Sequence, residues 1–203
     1  FRQRTHMAFD ANRIKTVAAW TGSFITTKHA WDGRAGQYAT FPSNDVVWLA
    51  DGPAFARLES DTQAWPQDKP KEKVGSNRTP DGWRFKGYRL DEERVPTVLY
   101  DSEEIHVEER PSTAFLRDAA LLRRDFKLTS NTPAENLFFR AAVGSSIENK
   151  DGAYIVDEKL TFAIKGPSNI KPFVREVDGK KELLVPIQFA KGNELELSVE
   201  MKW

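Results

Sequence analysis

Hydrophobic positions recur every second residue over much of the chain. At the C-terminal end Leu195, Leu197, Val199, Met201 and Trp203 alternate with Glu196, Ser198, Glu200 and Lys202. A period of two puts one set of side chains in a core and the other in water, which predicts a half-buried strand. Leu183, Val185, Ile187 and Phe189 repeat the pattern after Asp178-Gly179, and Phe173–Val177 precedes it. Asp-Gly between two such runs predicts a hairpin, because both residues accept positive φ. Upstream, Asn149-Lys150-Asp151-Gly152 separates Leu137–Val143 from Tyr154–Val156, and Leu160, Phe162 and Ile164 alternate up to Gly166-Pro167.

The first half follows the same grammar. Phe85–Leu90, Val95–Tyr100 and Glu104–Glu109 predict three successive strands joined by short acidic turns, and Arg123–Thr129 a fourth. His6–Asp10, Ile14–Trp20 and Val46–Leu49 add three more. About a dozen short strands at this spacing predict an all-β fold, an antiparallel β-sandwich. At most one short helix is expected, over Thr113–Arg124, where Ala, Leu and Arg favour it; a loop running into a strand is the alternative. Residues 67–81 are rich in Lys, Pro, Gly, Ser and Asn and predict a mobile surface loop inserted in a single 1–203 domain. The start, Phe1-Arg2-Gln3-Arg4, shows neither an initiator Met nor an apolar leader and predicts a segment of a longer protein.

Composition narrows the chemistry. Thirty basic residues balance thirty acidic ones, without the basic excess typical of nucleic-acid binders. No apolar run reaches the ~20 residues of a membrane span. The chain has no cysteine, so it forms no disulfide, carries no thiolate nucleophile and attaches no haem through a C-x-x-C-H motif. The three histidines, His6, His29 and His106, lack metal-ligand spacing. His106 lies between Ile105 and Val107 on an alternating strand, so it is expected to face solvent. No Gly-x-Ser-x-Gly elbow, dinucleotide fingerprint or Walker loop occurs. The Asn77-Arg78-Thr79 triplet fits a glycosylation pattern that arises often by chance.

Five of the six tryptophans fall in the first 83 residues. Flat rings beside Asp, Asn and Arg suit sugar binding, because sugar CH groups stack on the ring while hydroxyls bond the polar neighbours. The candidate ligand-binding set is Trp20, Trp31, Asp32, Arg34, Trp48, Trp83, Tyr88 and Arg89, with Trp31-Asp32-Gly33-Arg34-Ala35-Gly36 as its centre. Most tryptophans are core residues, and an Asp-Gly-Arg loop is commonly a salt-bridged turn. No residue is assigned a catalytic role. Two convergent carboxylates would be needed for glycoside hydrolysis, and spacing singles out no pair.

Several segments occur in order: Ala8-Phe9-Asp10, Ala19-Trp20-Thr21-Gly22-Ser23-Phe24, Trp31–Gly36, Phe85-Lys86-Gly87-Tyr88-Arg89-Leu90, Val95-Pro96-Thr97 and Leu122-Arg123-Arg124-Asp125-Phe126. Over Phe9 to Thr129 the chain resembles a domain of large secreted or periplasmic proteins of planctomycetes, verrucomicrobia and related bacteria. Those proteins often carry c-type cytochrome and dehydrogenase-like propeller modules. The resemblance implies a periplasmic or secreted location, neighbouring domains or subunits as partners, and a link to carbohydrate oxidation and electron transfer. Any haem c would belong to a neighbouring module, with no cofactor in this chain. The family pattern has Gly where Ser23 stands and Thr where Asp32 stands. Three functions compete: a non-catalytic module that docks partner domains and binds glycan, a carbohydrate-active enzyme domain, and a structural assembly domain.

Overall fold

The alternating segments pair antiparallel into three sheets. A computed structural model describes residues 4–28, 38–41, 45–73, 76–116, 118–130, 132, 135–189 and 193–203, and all its described regular structure is strand. The N-terminal sheet has β1 (Thr5–Asp10), β2 (Lys15–Thr21) and β3 (Val46–Trp48), in that order. Then come β4 (Phe55–Arg57), β5 (Arg84–Leu90), β6 (Pro96–Asp101), β7 (Ile105–Leu116), β8 (Ala119–Ser130) and β9 (Leu137–Gly144). The last six are β10 (Ile147–Lys150), β11 (Ala153–Val156), β12 (Leu160–Lys165), β13 (Phe173–Val177), β14 (Lys180–Pro186) and β15 (Glu194–Lys202). The large sheet runs β10-β11-β12-β15-β8-β7-β6-β5, and a smaller one runs β13-β14-β9-β4. One continuous apolar core is shared by side chains of all three.

The predicted strands form, with two additions. β4 is only three residues long, and β10 is a polar run whose Ile147 alone is buried, so neither shows alternation. The Asp-Gly pairs at 151–152 and 178–179 make two-residue hairpin turns with positive φ at each residue: 52° and 85° at Asp151-Gly152, 52° and 72° at Asp178-Gly179. These angles match the twist of the flanking strands. Thr113–Arg124 is not a helix. It forms the end of β7 and the start of β8, paired through Leu116 and Ala119. The pairing supplies the physical reason: Ala120, Leu122 and Arg124 turn into the core while Leu121 and Arg123 stay less buried, and that two-sided fit overrides local helix propensity. Among the described residues no helix is long and apolar enough to cross a membrane.

A charged pair lies in the middle of this core. Glu109 on β7 and Arg124 on β8 point inward, 0% and 5% exposed, with Arg124 Nε 2.7 Å from Glu109 Oε1. The Thr16 hydroxyl of β2 donates to Oε1 at 2.9 Å, and the Tyr100 hydroxyl of β6 donates to Oε2 at 2.9 Å. Burial, and then the adjacent Glu109 charge, push the Tyr100 phenol well above its ordinary range and keep it a donor. The guanidinium lies 4.9 Å from the Phe126 ring centre and 5.3 Å from that of Phe139 on β9. One carboxylate thus joins two sheets, and a cation–π contact reaches the third.

A buried charge left without its partner costs about 3–5 kcal/mol. Glu109→Gln should therefore lower the unfolding free energy by about that amount in a denaturant titration. A Glu109→Leu/Arg124→Met double variant should recover much of the loss, because no charge is then stranded. Additive effects of the two single changes would mean that the pair is not coupled.

Candidate functional site

The site is assembled from loops anchored at a glycine corner. Gly52 follows β3 with φ +89°, and a Cβ there would sit 2.4 Å from the Pro66 carbonyl oxygen and 2.9 Å from Trp65 Cδ1. Only glycine permits this approach. The Lys15 side chain, buried at the start of β2, donates to the Ala50 and Gly52 carbonyls at 2.5 and 2.7 Å. The Trp65 indole N–H donates to the Pro53 carbonyl at 2.9 Å. These bonds clamp residues 65–68 against residues 50–53.

The next stretch contains the loop expected at 67–81, whose described residues form no strand. Asn12, in the β1–β2 turn, holds it twice: its side-chain amide donates to the Ser76 carbonyl at 2.8 Å and its oxygen accepts the Arg78 N–H at 2.9 Å. Arg78 Nε donates to the Lys69 carbonyl at 2.7 Å, and Lys69 Nζ lies 2.7 Å from Asp81. A turn closed by the Trp83 N–H on the Pro80 carbonyl delivers Trp83 to the head of β5. Its ring stacks on Phe55, with centroids 5.6 Å apart and planes 24° apart, and is tilted against Tyr100 at 5.8 Å.

The result is a groove of about 440 Å³. Phe55, Pro66, Pro80, Trp83 and Leu137 line it with apolar surface. The rim is charged: Arg57 is ion-paired with Glu104, and Arg78 and Glu103 also line the groove. A mostly apolar cleft of this size with a few polar groups is the usual form of a small-ligand site.

Asp68, which also lines the groove, is committed to structure. Only 7% of its side-chain surface is exposed, and it accepts from Arg13 at 3.1 Å with Lys15 Nζ at 3.5 Å. Burial raises its pKa, but the Gly52 N–H and the Lys15 and Arg13 cations outweigh burial and hold the carboxyl below its usual value. Burial depresses the Lys15 ammonium, against the pull of Asp68. Asp10, Asp91 and Glu108 are also held down, each with an arginine hydrogen-bonded to it.

The structure separates the sequence-predicted residues. Trp20 is 1% exposed, and its indole N–H is spent on the Ser23 carbonyl at 3.1 Å, so it is a core residue rather than a ligand contact. Trp48 is 63% exposed, but its neighbour is Phe41, edge-on at 5.3 Å, which in turn meets Trp20 at 4.7 Å. Tyr88 and Arg89 leave opposite faces of β5: Tyr88 is paired with inward Val98, and Arg89 reaches Glu108 on the outer face of the large sheet. Among the described candidates only Trp83 lines the groove. Trp31, Asp32 and Arg34 lie outside the described residues. His106 points away from the core as expected, hydrogen-bonded through Nδ1 to Asp101, with Nε2 3.7 Å from Glu108. Sequence reasoning missed Phe55, Arg57 and Arg78. The available signal was Pro80-Asp81-Gly82, a turn motif immediately before a tryptophan.

A second groove, of about 540 Å³, lies beside β1 and is lined by Met7, Phe9, Phe24, Pro96, Val98 and Pro111. Phe85 packs on Phe9 at 6.2 Å, while Tyr88 and Leu90 continue the same face of β5 at 64% and 48% exposure. Among the described residues no group of three histidines or carboxylates converges as a metal site would require.

Asp68 and Asp10 have folded-state pKa values below the ordinary 3.8, so the stability they contribute is complete above that pH and is lost as pH falls through their lower folded values. Thermal unfolding midpoints should hold near neutrality and fall below about pH 3.8. Asp68→Asn should be less stable at neutral pH and show a shallower acid limb; an unchanged limb would show that Asp68 is not part of the acid sensitivity. Comparison with protein-family models, curated proteins and solved structures finds no match to this chain.

Proposed function

We propose that this chain is a non-catalytic β-sandwich module that binds carbohydrate in the groove over Trp83. The observation that carries the reading is the stacked Phe55–Trp83 pair lining a cleft whose rim is charged. A flat aromatic lining takes the apolar face of a sugar ring, and rim groups take its hydroxyls. Binding is favoured over hydrolysis by the carboxylates. A glycosidase acid needs a raised pKa, whereas among the described residues each carboxyl group whose pKa is displaced is held down. Asp68, the buried carboxylate of the groove, is already locked to two cations.

Docking of neighbouring domains is the second part of the proposal. It is supported by the apolar groove beside β1 and by the exposed side chains that continue it: Phe24, Phe85, Tyr88 and Leu90 are 40–64% exposed. Contiguous exposed apolar surface commonly marks a protein–protein contact. The family resemblance adds a setting, a larger extracytoplasmic protein with c-type haem in a different module.

Trp83→Leu keeps an apolar floor but removes the flat ring. It should lower affinity for the best oligosaccharide of a glycan panel about tenfold or more, roughly the loss of one stacking contact. Circular dichroism should stay unchanged. Trp48→Ala should leave binding intact. Loss of binding in Trp48→Ala with retention in Trp83→Leu would move the site to the Trp48 surface and contradict the proposal.

A further inference from the structure

The ions around the Trp83 groove are not evenly satisfied. Arg57 is paired with Glu104, Lys69 with Asp81, and Asp68 with Arg13 and Lys15. Arg78 has no carboxylate partner among the described residues. It is nevertheless held in place, with its backbone N–H on Asn12, its Nε on the Lys69 carbonyl, and the preceding Ser76 carbonyl also on Asn12. An arginine on a surface loop normally keeps its rotamer freedom, and fixing it costs about 2 kcal/mol of entropy. Here the bond at Nε fixes the plane of the guanidinium, and its two terminal nitrogens have no hydrogen-bond partner among the described residues.

We infer that Arg78 is an anion-recognition residue and that the glycan bound in the groove is acidic, carrying a carboxylate or sulfate group beside the ring that stacks on Trp83. This rests on the binding reading above and specifies its ligand class. The chemistry is direct. With Nε committed, the guanidinium's remaining terminal edge, one N–H from each terminal nitrogen, matches two oxygens of a carboxylate or sulfate in bidentate geometry. Pre-organisation reduces what the ligand must spend to order the arginine. Glu103, which also lines the groove and has no ion pair among the described residues, faces the same cleft with the opposite sign. It penalises a ligand that places its anionic group on that side, so the anion is oriented toward Arg78.

The experiment is calorimetric titration of the full chain with two matched pairs of probes and a neutral control, at low and moderate salt. The pairs are tetragalacturonic acid and its methyl ester, and a sulfated galactan tetrasaccharide and its desulfated form; the control is a neutral cello-oligosaccharide. The expected result is at least tenfold tighter binding of one charged probe than of its uncharged counterpart, weakening as salt rises. Whichever acidic probe wins identifies the anionic group. Arg78→Gln should abolish that preference while keeping the residual affinity for the neutral form, and Trp83→Leu should weaken both forms alike. Equal affinity for charged and uncharged forms would overturn the acidic ligand and leave glycan binding standing. No binding by any probe would overturn both readings.

Discussion

The fold turns on one buried ion pair. Glu109 and Arg124 are diagonal neighbours on the two longest strands, Glu109 opposite Phe126 and Arg124 opposite Pro111, and both are buried against the main apolar cluster. Two charges taken out of water are costly, and their attraction offsets that cost only when every oxygen is also satisfied. Here satisfaction comes from separate parts of the chain: Thr16 from the N-terminal sheet and Tyr100 from β6. The arrangement is met only if the N-terminal sheet sits at a particular place over the large one. Hydrophobic burial supplies the drive to collapse, but it is indifferent to small shifts between layers; a carboxylate with three fixed donors is not.

That placement reaches the groove through a short chain of contacts. Thr16 follows Lys15, and the Lys15 ammonium holds the Gly52 corner, Trp65 packs on the same corner, and Asp68 is drawn to Lys15 and Arg13. Phe55, just beyond the corner, is at once a core residue beside Phe139 and Tyr100 and the surface on which Trp83 stacks. The groove therefore rests on rigid elements although most of its lining is loop. Sites supported in this way hold their geometry better than free loops do.

Most of the architecture was legible in the sequence because strands that bury one face write their period into the chain. β15 and the β13–β14 hairpin are the clearest cases, the first by four apolar residues at spacing two with Trp203 continuing the row, the second by Asp178-Gly179. β4 and β10 were illegible because a three-residue strand and a mostly polar one carry no period. The helix expected at Thr113–Arg124 failed for a different reason: Ala and Leu suit a helix alone but fit a strand when a twelve-residue partner is available. The site was less legible. Residue type drew attention to tryptophans, but burial distinguishes them, and Trp20 is as deep in the core as Trp83 is available to the groove. Arg78 stood out only as the middle of an Asn77-Arg78-Thr79 triplet, because the bonds that fix it come from Asn12 and Lys69, one of them 66 residues away.

Under the proposed function Trp83 is the residue that meets ligand, and its indole N–H can be observed alone. The chain has six tryptophans, hence six indole resonances in an ¹⁵N correlation spectrum. On titration with an acidic oligosaccharide, the Trp83 resonance, assigned through Trp83→Leu, should shift with saturation while those of Trp20 and Trp65, buried in the core, stay in place. A ligand-dependent shift confined to Trp48, with Trp83 unmoved, would contradict the account.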